Sequence, residues 1–279
     1  MVTLRAPDGA TLGQRPFVMG VLNVTPDSFS DGGMFSGDVA IEHARRMVAE
    51  GADIIDIGGE STRPGSDPVP IEEEMSRIEA VLEAVVAMGV PVSIDTTKAE
   101  VARYALDAGA AMVNDVSACR FDPGMAPIVA KKGCPLVLMH MLGMPKDMQE
   151  DPRYPRGVVE EISEFFRERI EAVKAVGVDR DQIILDPGFG FGKTVEHNLQ
   201  ILRYLGAFRE IGPPLLAGVS RKWFIGQITG RPVDDRKAGS LAAALIAANH
   251  GAAILRVHDV ADTVAGLGVL RALREVDEP

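Results

Sequence analysis

Eight short apolar runs recur along the chain, and a longer stretch of helical periodicity follows each one; this alternation restricts the fold more than any other feature. The runs occupy 17–22, 53–57, 90–94, 111–113, 135–139, 182–185, 214–219 and 252–257. They are rich in branched residues and do not alternate with polar ones, which suits parallel strands covered on both faces. Between them lie stripes at helical spacing. Ala40, Ala44, Met47 and Val48 form one, Ile71, Met75, Ile78, Leu82 and Val85 a second, and Ile162, Phe166, Ile170 and Val173 a third. No Pro/Gly/Ser linker or break in composition divides the series. Eight strand–helix units predict an α/β chain folded as a closed (β/α)8 TIM barrel, a single domain over 1–279 with the barrel proper at about 16–276. An open doubly wound sheet is the alternative, disfavoured by the count and by the lack of a glycine-rich turn after the first run.

Composition narrows the partners. With 46% hydrophobic residues in 279, the chain has enough apolar surface for one large core. A net charge of −11 argues against a non-specific nucleic-acid binder, which would carry a basic face. It leaves room for an anionic small molecule, because a local site can be positive on an acidic protein. Cys119 and Cys134 fit neither a metal spacing nor a disulfide framework and read as reduced thiols of a cytoplasmic protein. Residues 1–15 mix polar, charged and glycine residues, unlike a signal peptide. No apolar run approaches the roughly 20 residues of a membrane span.

The run ends carry the chemistry. In order they lead to Asn23, to the stretch from Gly58 through Glu60 to Arg63, to Asp95, to Asn114 and Asp115, to Met139 and His140, to Asp186, to Ser220, Arg221 and Lys222, and to Arg256, His258 and Asp259. Alone, a residue such as Glu60, Asp115 or Asp259 reads as a helix cap or turn residue. In a barrel, however, all eight ends converge on one mouth, where such enzymes place their chemistry. Asp95, Asn114 and Asp186 offer acceptors and an amide, the pattern a flat heterocycle with several N–H donors needs. Lys222, Arg256 and His258 offer cationic donors after the seventh and eighth strands, where barrels often bind phosphate. The mouth is thus expected to be acidic on one side and basic on the other, fitting a nitrogen heterocycle that carries a phosphate or pyrophosphate.

Three local patterns need separate readings. Residues 188–194 (GFGFGKT) are one residue short of a nucleotide-binding phosphate loop, and their glycines are read as permitting close approach to a ligand. The loops at 25–36 and 62–70 are long enough to serve as lids. His197 and His250 fall within helical patterns and are set aside as surface or satisfied core residues.

The segments 19–33, 56–65, 93–96, 113–116, 139–141, 186–194, 218–222 and 256–259 resemble, in order and over nearly the whole chain, the motifs of dihydropteroate synthases. The resemblance implies condensation of 6-hydroxymethyl-7,8-dihydropterin pyrophosphate with p-aminobenzoate, and Asp95, Asp186, Lys222 and Arg256 as catalytic residues. It implies that Asp95, Asn114, Met139, Asp186, Gly218 and Lys222 hold the pterin, and that Asn23, Thr62, Arg63, Arg256 and His258 hold the pyrophosphate. Phe29, Thr62, Pro64, Phe191 and Ser220 would surround p-aminobenzoate, and Asn23 and Asp31 would bind Mg2+ as cofactor. A homodimer is also implied. Asp147, Phe189 and Trp223 depart from the family pattern; the first two read as peripheral, while Trp223 bears on the p-aminobenzoate side. Ionisation of the pterin methylene before the amine attacks is the favoured mechanism, with direct displacement open. A methyltetrahydrofolate-type pterin-binding methyltransferase would share the ring-holding set without needing the pyrophosphate cluster. A non-catalytic pterin-binding paralogue would not need the full set of Asn23, Lys222, Arg256 and His258.

Overall fold

The computed structural model describes residues 4–25, 37–61, 68–143 and 148–276. Each apolar run becomes a strand: β1 (Phe17–Asn23), β2 (Ile54–Gly58), β3 (Val92–Asp95), β4 (Met112–Asp115), β5 (Leu136–Met139), β6 (Ile183–Asp186), β7 (Leu215–Ala217) and β8 (Ala252–Val257). Neighbours in sequence pair in parallel, and β8 returns to β1 with Ile254 beside Phe17, so the sheet closes into the expected barrel. Closure leaves no edge strand in the barrel of the described residues, which rules out the open sheet. The strands are buried almost throughout, as strands covered by helices on one side and core on the other must be.

The helices are α1 (Gly37–Ala49), α2 (Ile71–Val86), α3 (Ala99–Asp107), α4 (Met125–Lys132), α5 (Val158–Lys174), α6 (Val195–Arg203), α7 (Trp223–Thr229), α8 (Lys237–Asn249) and α9 (Val260–Arg274). Their apolar stripes face the barrel: Ile78, Leu82 and Val85 of α2 and Ile162, Phe166, Ile170 and Val173 of α5 are all buried. Each such side chain contributes roughly 1.5–3 kcal/mol. Two helices, α7 and α8, follow β7, one more than a simple count of units predicts. β7 is also shorter than its apolar run, because the chain leaves the sheet after Ala217 to make the turn that carries Ser220 and Lys222. No helix among the described residues is long and apolar enough to cross a membrane.

Inside the barrel, Phe17, Met19, Ile54, Met112, Val137, Ile184, Leu216 and Ile254 form one buried cluster. Leu4, Ala6 and Leu12 close it from below. The polar N-terminal stretch therefore supplies a plug, which its composition did not reveal. Arg15 fastens that plug with two bonds to Asp53, of 2.6 and 2.8 Å, and Asp53 also accepts the Val18 N–H at 2.8 Å. Strand side chains repeat every two residues, so the residue two beyond each floor residue faces the same interior. Ile54 leads to Asp56, Met112 to Asn114, Val137 to Met139, Ile184 to Asp186, Leu216 to Gly218, and Ile254 to Arg256. That single step turns an apolar floor into a polar mouth.

Candidate active site at the mouth of the barrel

Arg256 organises the mouth. Its Nε donates to Asp56 Oδ2 at 2.6 Å and its Nη2 to Asp95 Oδ2 at 2.7 Å. The Asn114 amide donates to the same Asp56 oxygen at 3.1 Å. Four strands are tied together by these bonds. Asp56 Oδ1 and Asp95 Oδ1 are buried and have no hydrogen-bond partner among the described residues. A buried acceptor left unpaired costs about 1–3 kcal/mol, which a ligand N–H would recover. Asp56 is the site residue that the sequence reading did not single out; the signal was an aspartate inside an otherwise apolar strand. The expectation of separate acidic and basic sides is corrected here, since Arg256 lies between the two carboxylates.

These groups open into a small pocket lined by Asp95, Asn114, Val116, Met139, Asp186, Phe189, Phe191, Gly218, Lys222 and Arg256. Val116, Met139 and Phe191 make its apolar wall, packed with Met141 and Met148. A Cβ at Gly218 would stand 3.9 Å from Asp186 Oδ2 and 4.0 Å from the Arg256 Cβ, so the missing side chain is space between those two groups. Phe189 lines the pocket and stacks on Phe224 with ring centroids 6.3 Å apart, which corrects its reading as peripheral. Trp223, at the start of α7, is 52% exposed and does not line the pocket. Asp147 lies outside the described residues.

Burial shifts the charges. The Asp95 carboxyl is pushed up to about 7, burial and the neighbouring Asp56 outweighing the pull of Arg256. Asp186 is raised as well by burial, opposed by the Gly188 N–H at 2.7 Å and by Lys222. His258 is pushed down to about 3 by burial and by Arg256, Arg221 and Lys222. It is therefore neutral at pH 7, a correction to its reading as a cation. Its Nδ1 lies 3.0 Å from Ser220 Oγ, and its backbone N–H donates to the same oxygen at 3.2 Å. Lys222 caps α7 and sets its Nζ 4.3 Å from the Phe191 ring centroid, a cation–π contact. Between Ser220 and Lys222, Arg221 adopts a left-handed conformation (φ 56°), a strain of about 1–3 kcal/mol. The strained turn is held by Asp259, bound to the guanidinium at 2.7 Å, and by Ser240 Oγ, which accepts the Arg221 N–H at 2.8 Å.

The other acidic strand-end residues are structural. Asp115 accepts the N–H groups of Ser117 at 2.7 Å and Cys119 at 2.8 Å, folding the turn after β4. Glu60 accepts the Val69 N–H at 3.0 Å and, with the buried Glu74, binds Lys98. His197 caps α6 in a reciprocal pair with Thr194, and His250 Nδ1 lies 2.8 Å from the Leu202 carbonyl, in keeping with their having been set aside.

Asn23 ends β1 beside Gly58, at the mouth. Phe29, Asp31, Thr62, Arg63 and Pro64 lie outside the described residues, as do most of the two loops read as lids. The expected Mg2+ site is corrected: among the described residues, no group of three or more His, Cys, Asp or Glu side chains comes together to hold a metal ion. Asn23 brings only a neutral amide, and the carboxylates of Asp56 and Asp95 are engaged by Arg256. The described residues do not fit an ion.

A family described as pterin binding enzyme matches residues 19–258. The chain is 46% identical over 265 residues to dihydropteroate synthase of Escherichia coli (strain K12), covering 94% of this chain and 93% of that protein. The solved structure of Xanthomonas albilineans dihydropteroate synthase with 4-aminobenzoic acid superposes with a TM-score of 0.90 at 50% identity, covering 96% of each chain. Yersinia pestis dihydropteroate synthase, solved with a sulfonamide drug, superposes with a TM-score of 0.91 at 46% identity, covering 98% of this chain and 99% of that one.

Proposed function

The chain belongs to the dihydropteroate synthase family, and from that membership we propose how its residues divide the reaction. It condenses 6-hydroxymethyl-7,8-dihydropterin pyrophosphate with p-aminobenzoate, giving 7,8-dihydropteroate and pyrophosphate, a step of folate biosynthesis. The observation that carries the assignment of roles is the Asp56–Arg256–Asp95 bridge, two buried carboxylates each with an oxygen unpartnered among the described residues. Asp95, Asn114 and Asp186 take the N–H groups of the pterin, Met139 its face, and Gly218 leaves room for it. Lys222 binds beside the ring, on the Phe191 side.

The C–O bond of the pterin methylene breaks first. Asp95 and Asp186 stabilise the positive charge that develops on the ring. Arg256, Lys222, Asn23 and a neutral His258 donate to the departing pyrophosphate. Donors and acceptors fixed before the reaction lower the barrier because none has to reorient as charge separates. The amine of p-aminobenzoate then attacks from the side of Phe191, its carboxylate directed to Ser220 and Lys222. Thr62 and Arg63 are assigned to pyrophosphate, and Phe29, Thr62 and Pro64 to p-aminobenzoate. A sulfonamide copies the aryl amine and competes for the same subsite.

The molecule is proposed to act in the cytoplasm, as one barrel over 1–279; Cys119 and Cys134 are both free and buried, in keeping with a reducing compartment. A homodimer is supported by apolar side chains exposed on α9, Val269 at 73% and Leu273 at 69%, with Ile228 of α7 at 53%. The test of function is to supply the pterin pyrophosphate and p-aminobenzoate and follow 7,8-dihydropteroate by chromatography. Folded protein that makes none contradicts the assignment, and inhibition by a sulfonamide that is not competitive with p-aminobenzoate contradicts the shared subsite.

A further inference from the structure

Lys193 is fully buried. It closes the glycine-rich stretch between β6 and α6, which lies flush against the segment leaving β5. Gly188 and Gly192 make that approach possible. Both have positive φ, and an added Cβ would fall 2.0 Å from the His140 carbonyl oxygen at the first and 2.6 Å from the Leu142 carbonyl oxygen at the second. Lys193 Nζ fills the seam between the two segments. It donates to the Phe191 carbonyl at 2.9 Å and the His140 carbonyl at 3.4 Å, and it lies 3.0 Å from His140 Nδ1. The amine thus reaches three hydrogen-bonding groups within the seam. Burial pushes both Lys193 and His140 well below their ordinary values.

The two segments that Lys193 joins carry two walls of the pocket, Met139 from β5 and Phe191 from the loop. Phe191 in turn lies under the Lys222 ammonium. Lys193 itself does not line the pocket. We infer that Lys193 is a positioning residue for the reaction: by pinning the β6–α6 loop to the end of β5 it sets Phe191, and through it Lys222, at the p-aminobenzoate side. The inference rests on the assignment of Phe191 to that side. Tyr154, whose hydroxyl donates to the Gly192 carbonyl at 2.9 Å and whose ring centroid lies 6.0 Å from that of His140, holds the same loop one residue away.

Steady-state kinetics of Lys193→Met test this. Met keeps the length of the stem and removes the cost of burying an amine, so the variant should fold; its melting temperature is the control. The KM for p-aminobenzoate should rise about tenfold, the scale of one or two lost hydrogen bonds. The KM for the pterin pyrophosphate should stay within about threefold, and adding Phe191→Leu should give little further loss, because the two changes act through one contact. Kinetics within about twofold of the parent, or an equal loss for both substrates, overturns the inference. Phe191→Leu alone separates it from the reading it rests on. If Phe191→Leu leaves the p-aminobenzoate KM unchanged, the subsite assignment falls and the inference with it; if Phe191→Leu raises it and Lys193→Met does not, only the inference falls. Should Lys193→Met not fold, His140→Asn, which keeps a hydrogen-bonding group near the Nδ1 position, and His140→Leu decide: selective loss for p-aminobenzoate in the second alone supports it, and equal behaviour of the pair overturns it.

Discussion

At the floor of the barrel Ile54, Met112, Ile184 and Ile254 pack against one another; two residues further along the same strands stand Asp56, Asn114, Asp186 and Arg256. Backbone, strand order and burial are shared, and only the side chains differ. The floor is apolar and filled, and it is sealed by Leu4, Ala6 and Leu12. The mouth holds a cation bridged between carboxylates, with two acceptor oxygens unpartnered among the described residues. A stable barrel would do better with the floor's chemistry at both ends, because replacing buried ions by apolar groups is often neutral or stabilising. The mouth is organised for binding at the expense of stability, and the floor compensates.

Arg256→Met is the change with the largest expected effect, and it breaks the comparison, because it should damage both function and fold. It leaves Asp56 and Asp95 buried without their cation, costing about 3–5 kcal/mol. Turnover should fall by roughly a thousandfold or more, since both the leaving anion and the ring carboxylates lose their partner. Urea denaturation and a product assay read the two effects; unaltered stability would mean that the bridge is not what holds the carboxylates.

Lys222→Ala sharpens the comparison. It should reduce kcat by about 10²–10³ with the midpoint of denaturation nearly unchanged, because the side chain is partly exposed. Activity within a few-fold of the parent would contradict its placement at the reacting centre. Met112→Ala is the mirror experiment at the floor. Truncation of this fully buried side chain should cost about 2–5 kcal/mol, while kcat of the protein that remains folded stays within about twofold. A large fall in kcat without loss of stability would erase the distinction between the two layers.

Titration gives a smaller effect. The Asp95 carboxyl sits near 7 in the folded protein against about 3.9 unfolded, so the native state holds the proton more tightly. Its contribution to stability is full below about pH 4 and is lost as the pH rises towards 7. The stability advantage of Asp95→Asn over the parent should therefore grow across that interval and level off above it, which melting curves from pH 4 to 8 will show; an advantage that shrinks with pH would reverse the sign. The smallest effect is expected for Trp223→Ala. This exposed side chain should change stability by less than about 0.5 kcal/mol, and a p-aminobenzoate KM altered more than about twofold would place it at the pocket after all.

The barrel was legible in the sequence because unalternating apolar runs have few other solutions, and its mouth was legible because polar residues at strand ends have nowhere else to point. Asp56 was hidden by the same logic: it lies inside β2, where a charge reads as an exception rather than as the second layer of the interior. Leu4, Ala6 and Leu12 were hidden because three apolar residues spread among polar ones carry no period. Arg256 looked like a free cation, and its two carboxylate partners come from other strands far away in sequence. His258 looked charged for a similar reason, since its neutrality depends on burial and on the cations around it. Lys193 was visible as part of a glycine-rich motif, yet nothing local shows that it turns inward to His140.

The bond between Arg256 and Asp56 spans 200 positions of sequence. A ribosome adds about 5–20 residues per second, so the two carboxylates of the mouth emerge roughly 8–40 s before the guanidinium that joins them. Until β8 arrives, β1 and β7 each present an open edge, and Asp56 and Asp95 repel one another in a half-made interior. Long-range closure of this kind is slow, and slow folding with exposed edges invites aggregation. The window in which a nascent chain most needs a chaperone is thus set in large part by where one arginine falls in the order of synthesis.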